Sequence, residues 1–197
     1  EVFHTAKNLI ENLIKKQLIS DVKIGSFLSG GVDSTVITTL ASKYYTGQFE
    51  SFTINHILKK GNYEKEFYDD YKFAKIVSSN LGIKLNTLDV DQDTLLRQIN
   101  NIFKTSDEPT SDPSALNTML ISGFAKDNGF KVLLSGIGGD DIFSGYRRHN
   151  AFYYEKYWKW LPQGFKSTFK SSLSKLKINN NFKRRLKKLI EYSNLKN

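Results

Sequence analysis

The sequence predicts an α/β fold: a doubly wound, mostly parallel sheet with helices on both faces, followed by a basic helical extension. Three observations lead there. Short apolar stretches alternate with longer amphipathic ones between residues 22 and 135, the pattern of strands joined by helical crossovers. Two of those strands run straight into glycine-rich turns, SGGVDS at 29–34 and SGIGGDD at 135–141, where open parallel sheets bind their ligands. The 197 residues suffice for one such domain with a proper core and a helical addition. The domain is expected over 1–150 and the aromatic, basic extension over 151–197, as a truncated part of the same domain.

Each element has its own warrant. Val2, Phe3, Ala6, Leu9, Ile10, Leu13, Ile14 and Leu18 recur at helical spacing and make an amphipathic first helix. VKIGSFL (22–28) is short and apolar, a buried strand. TVITTLASKYY (35–45) reads as a helix despite β-branched residues that favour strands, because small and acidic residues mark its start. FESFTI (49–54) is the second strand. The polar turn KKGN then leads to a helix from Glu64 to Leu81, with Phe67, Tyr71, Ala74, Val77 and Leu81 inward. KLNTLDV (84–90) is the third strand, and Thr94 to Phe103 a helix. Two prolines make DEPTSDP (107–113) a loop, and Asp112 caps a helix running to Asn128. KVLLS (131–135) is the last strand.

Composition narrows the function. With no cysteine, these residues carry no disulfide framework, thiolate metal site or cysteine nucleophile. No apolar run reaches the roughly 18 residues that span a bilayer, and the amphipathic start is no signal peptide, so a cytoplasmic protein is the default. The net charge of +9 invites a nucleic-acid reading, but it is unevenly placed. Residues 155–197 hold 12 Lys+Arg and 2 Asp+Glu, leaving 1–154 at a net −1. A uniformly basic binding surface is not supported, and nucleic acid is not an expected partner. Phe182, Leu186, Leu189 and Ile190 line one face of a last helix whose other faces carry Lys and Arg, the pattern of a docked helix with a solvated side.

The chemistry belongs to the two glycine-rich turns. Adjacent glycines let main-chain N–H groups crowd around an anion, and a following helix N-terminus adds favourable partial charge. Ser29 and Ser34 would add hydroxyl donors to phosphate oxygens. The turn is neither GxxxxGK[ST] nor GxGxxG. An acidic residue in a phosphate cradle makes sense where a cation bridges it to the anion, so Asp33 points to Mg²⁺. The second turn repeats the arrangement with Asp140 and Asp141. Together the two could face one triphosphate.

SDVKIGSFLSGGVDST resembles the opening of the synthetase domain of glutamine-hydrolysing asparagine synthetases. SFTI, DEPTSDPSALNTMLIS and KVLLSGIGGDDIFSGYRRH match that family in order and spacing, over about residues 1–150. SGG-x-DS is similar to the pyrophosphate-binding loop of the ATP pyrophosphatases, whose fold is the adenine nucleotide alpha-hydrolase-like one. The resemblance implies a ligase. An aspartate β-carboxylate attacks the α-phosphorus of ATP, giving β-aspartyl-AMP and pyrophosphate, and ammonia supplied by a glutaminase domain displaces AMP.

By position, the resemblance implies that Leu28, Ser29, Gly30, Gly31 and Ser34 contact ATP, and that Asp33 and Asp140 hold the Mg²⁺–pyrophosphate unit. Ile54 would line the adenine pocket, Ser135 and Gly136 would approach the nucleotide, and Asp107 and Glu108 would border the aspartate pocket. The resemblance also implies a cysteine-bearing glutaminase domain and a later pyrophosphate-contacting lysine, neither of which these residues include. The chain alone is therefore expected to bind Mg²⁺–ATP and turn over weakly or not at all. A homodimer is a further expectation. Ile137 departs from the pattern, standing where bacterial members carry a glutamate. Three alternatives stay open: a related enzyme activating another carboxylate, as β-lactam synthetases do; a non-catalytic nucleotide-binding module; and an RNA-binding role for the tail.

Overall fold

The computed structural model describes residues 2–57, 64–105, 108, 112–146 and 149, with the backbone alone at 64–69, 105 and 113. The chain divides into two compact units, Glu1–Ile137 and Gly138–Asn197. The first unit runs α1 (Val2–Gln17), β1 (Ile24–Phe27), α2 (Val32–Tyr44), β2 (Glu50–Ile57), α3 (Glu64–Leu81), β3 (Lys84–Asp91), α4 (Gln92–Thr105), α5 (Pro113–Asp127) and β4 (Val132–Leu134). In the second unit α6 (Gly139–Ile142) is described. The proposed extension over 151–197 lies outside the described residues, as do Arg147 and Arg148.

The four strands form one parallel sheet in the order β3-β2-β1-β4. Ser26 pairs with Ser51 on one side and Leu134 on the other. Strands β2 and β3 stay in register from Glu50–Lys84 to Ile57–Asp91. The chain steps from β1 through β2 to β3, then returns past them to add β4 beside β1. Right-handed crossovers therefore put α2 and α3 on one face, and the return puts α4 and α5 on the other.

Side-chain alternation builds two cores from this one sheet. On one face Ile24 packs with Ile14, Ala41 and Phe49. On the other, Phe52 packs with Ile121, Ala125 and Phe130. Its ring meets those of Phe130 and Phe124 edge-on, at 4.9 and 6.0 Å between centroids. Beneath α2, the buried Ser26 hydroxyl lies 2.8 Å from Thr38 Oγ1 and 2.9 Å from Ser51 Oγ. This chain of hydroxyls satisfies groups that would otherwise be buried without partners.

The structure shifts several expected boundaries. Helix α2 begins at Val32, three residues before the sequence reading, because Gly31 takes the extended N-cap conformation and Thr35 N–H already reaches Gly31 O at 3.0 Å. Asp33 and Ser34 thus belong to the helix and not to the loop. Strand β2 extends to Ile57, held there by full pairing with β3 and by an Asn55 side chain donating to Asp89 at 2.8 Å. Asp91 accepts from Thr94 N–H at 2.7 Å and starts α4 early. Asp112 caps α5 as expected, accepting from Ser114 N–H at 2.9 Å. On α1, Ile14 is buried, whereas Val2 and Phe3 are 84% and 76% exposed. No described helix is long and apolar enough to cross a membrane.

Phe52→Ala should cost roughly 3–5 kcal/mol, since it removes the ring around which the second core is packed. Leu96→Ala, at a position 59% exposed on α4, should cost well under 1 kcal/mol. Denaturant unfolding of the two variants side by side measures the difference.

Candidate functional site

Strand β1 is held to its very end. Leu28 is fully buried and donates its N–H to Phe52 O at 2.9 Å. The chain leaves the sheet at Ser29 and must then turn sharply beneath α3. Gly30 makes that turn at φ +81, and a Cβ there would come within 2.6 Å of Asp70 O. Both the conformation and the space demand glycine.

The two serines close the loop on itself. Ser34 Oγ donates to Gly31 O at 3.1 Å, accepts from Ser29 N–H at 3.3 Å and lies 3.0 Å from Ser29 Oγ. Ser29 Oγ in turn accepts from Gly31 N–H at 3.3 Å. These hydroxyls, read from sequence as phosphate donors, are engaged within the loop. No side chain caps α2, so the first-turn N–H groups of Val32, Asp33 and Ser34 have neither an intrahelical acceptor nor a capping side chain. They are the donors offered to an anion.

The return of the chain to β4 brings the second turn to this helix start. Gly136 lies so close that a Cβ on it would stand 2.7 Å from Ser34 N and 2.8 Å from the Asp33 carbonyl carbon. Ser135 is exposed, and its Oγ accepts from Ile137 N–H at 3.2 Å. Leu28, Ser29, Gly30, Gly31, Asp33, Ser34, Ser135 and Gly136 thus gather at the carboxyl ends of β1 and β4, where the strand order reverses.

Ile54 sits two residues beyond Phe52 on β2, partly buried against the second core. His56, two residues further, is half-buried, and that burial pushes its pKa below the ordinary histidine value. Glu108 is exposed in a bend, and Asp107 lies outside the described residues. Asp140 occupies the first turn of α6 in the second unit, partly exposed. Among the described residues, no three His, Cys, Asp or Glu side chains converge as a metal cage. A Mg²⁺ at Asp33 fits instead the manner in which that ion binds with nucleotides, through one or two carboxylates and phosphate oxygens. Sequence reasoning passed over Asn117 on α5, whose Oδ1 is buried without a hydrogen-bond partner among the described residues. That is a property of packing, and no motif announces it.

The family model for asparagine synthase matches residues 5–197. The chain belongs to the asparagine synthase family. It is 27% identical over 160 residues to asparagine synthetase [glutamine-hydrolyzing] 1 of Bacillus subtilis (strain 168), covering 81% of this chain and 24% of that protein. It is 30% identical over 138 residues to a putative asparagine synthetase [glutamine-hydrolyzing] of Mycobacterium bovis, covering 70% and 20%. The chain therefore spans a quarter or less of the length of these relatives. A solved U34-tRNA thiolase from Methanococcus maripaludis superposes with a TM-score of 0.50 at 20% identity, covering 74% of this chain and 52% of that one. It shares the α/β fold.

Two predictions follow from the geometry. Gly136→Ala should force the β4 turn away from α2, with a destabilisation of about 1–3 kcal/mol typical of overpacking and a clear loss of anion affinity. Calorimetry with tripolyphosphate, beside denaturant unfolding, checks both. The second concerns pH. Burial disfavours the His56 imidazolium, so the unfolded chain takes up the proton more readily than the folded one. The stability from neutral His56 is complete above the unfolded value of about 6.5 and is lost as pH falls from there through the lowered folded value. The thermal midpoint should drop accordingly, and His56→Gln should remove that part of the drop.

Proposed function

We propose that this chain is the ATP-using synthetase portion of an asparagine synthetase. It adenylates the β-carboxylate of aspartate, releasing pyrophosphate, and ammonia then displaces AMP to leave the amide. The observation that supports this reading is the seating of Gly136 on the uncapped first turn of α2, an arrangement in which main chain from two turns would surround one anion. Family membership supports this reaction over others that would use such a position.

The chemistry suits what the residues offer. A free carboxylate has no good leaving group for ammonia to displace, whereas AMP is one. Cleavage between the α and β phosphates builds charge on pyrophosphate, which fixed N–H donors stabilise without reorganising. Asp33 would hold Mg²⁺, and the ion when bound would neutralise charge on the phosphates. For Asp140 the same role rests on the family alone. With no cysteine in these residues, they would not release ammonia from glutamine by thiol chemistry, and amidation by this chain would use free ammonia or ammonia delivered to it. The ATP requirement agrees with a cytoplasmic setting.

A second reading keeps the adenylation but changes the acid. Ile137 is 87% exposed in the β4 turn and can neither take a proton nor meet ammonium, which favours a carboxylate substrate other than aspartate. Pyrophosphate release by the full-length protein decides between them: dependence on aspartate alone among acids supports the first reading, and dependence on another acid the second. In that assay Asp33→Asn should lower the rate on the order of a hundredfold or more, and Asp140→Asn likewise, with the fold intact. Normal rates with asparagine at both positions would remove the site assignment.

A further inference from the structure

We propose that Asn117 reads the base of the nucleotide, accepting from the 6-amino group of adenine and donating to its ring N7, so that the chain discriminates against 6-oxo purines. The inference rests on the nucleotide reading above. Asn117 lies one helical turn before Ile121 and two before Phe124, on the face of α5 that packs on Phe52. Helix α5 leads into β4, which is parallel to β1, so its first turns lie over the carboxyl ends of the strands. One turn rises about 5.4 Å, close to the length of two strand residues. Stepping back from Ile121 to Asn117 therefore moves from the level of Phe52 towards that of Ile54 and His56. Alternation sets Phe52, Ile54 and His56 on the same face of the sheet, the one α5 covers.

The amide oxygen of Asn117 makes no hydrogen bond among the described residues. It is shielded from solvent, although the residue as a whole is only partly buried. A shielded carbonyl without a donor is destabilising relative to an apolar side chain of the same shape. The terminal torsion of an asparagine is soft, so the amide can turn to meet a ligand. The surroundings narrow what that ligand group is. Ile54 packs against an apolar core and His56 is half-buried beside it, surroundings that disfavour a charged phosphate or carboxylate. The phosphates have their own donors at the start of α2. What remains is the base, and an amide presents an acceptor beside a donor, the complement of the N6 and N7 edge of adenine. Hypoxanthine and guanine present two acceptors on that edge, one of which must face the amide oxygen.

The test is calorimetry on the full chain with Mg²⁺ and, in turn, ATP, inosine triphosphate and tripolyphosphate. The wild-type chain should prefer ATP over inosine triphosphate on the order of tenfold or more. Asn117→Ala and Asn117→Leu should bring the two nucleotides to similar affinity, leave tripolyphosphate binding unchanged and not lower the thermal midpoint. If both variants keep the preference for ATP, or if the wild type binds ATP without preferring it, the base assignment is overturned while the nucleotide site stands. If the wild type binds neither ATP nor tripolyphosphate, the site reading fails and takes this inference with it.

Discussion

The main chain of Gly136 lies against the first turn of α2 with no room for a side chain between them, and the rest of the first unit is arranged around that contact. It requires β4 to sit beside β1, and therefore requires the chain to double back after β3. It requires α4 and α5 to cross on the face opposite α2, which only a second hydrophobic core can support. Phe52 supplies that core from the middle of β2, with Phe130 and Phe124 edge-on to it. The Ser26, Thr38 and Ser51 hydroxyls fix α2 from the other side of the sheet. The helix start is thus anchored from below before any ligand arrives.

The loop chemistry follows from the same arrangement. The Ser29 and Ser34 hydroxyls are bonded to one another and to the loop backbone. Their effect is to hold the shape in which the N–H groups of Val32, Asp33 and Ser34 have no intrahelical acceptor and no capping side chain. A donor set fixed in advance stabilises developing charge better than a flexible one, because nothing needs to reorient during the reaction. Gly30 serves the same end, since its left-handed turn against α3 aims the chain from the strand into the helix.

Much of this was open to reading from residues alone. The alternation of short apolar and longer amphipathic segments marks the four strands, and strands adjoining glycine pairs mark the site. Harder to read were the places where local composition and tertiary structure disagree. Glycines and an aspartate in SGGVDS look like loop, yet Gly31 is an N-cap and Asp33 is helical. GIGGDD looks like loop too, but Gly139–Ile142 winds into a short helix after Gly138 takes a left-handed turn. Asn55, His56 and Ile57 carry no strand signal of their own, and they are strand because β3 pairs with them throughout. The hydrogen bonds that Ser29 and Ser34 make within the loop could not be read, because a hydroxyl bonded inside a loop and one aimed at a ligand look alike in sequence. Asn117 is invisible for a related reason: a missing partner is a fact of packing.

The two ends of the sheet differ in a way that ties these points together. At the amino end, burial alone would raise the Glu50 pKa, but hydrogen bonds from Asn86 and Lys84 outweigh it and hold the carboxylate below its ordinary range. Polar groups there are paired. At the carboxyl end, the first-turn N–H groups of α2 lack intrahelical acceptors and Asn117 Oδ1 lacks a donor among the described residues. The shielded Oδ1 lowers the stability of the empty chain relative to one in which it is satisfied. A ligand that satisfies these groups is bound by the folded state and not by the unfolded one, so they link occupancy to folding, by about 2.7 kcal/mol at a ligand concentration one hundred times Kd. The strands' amino ends supply stability, and their carboxyl ends leave hydrogen-bonding groups that the proposed nucleotide would complete.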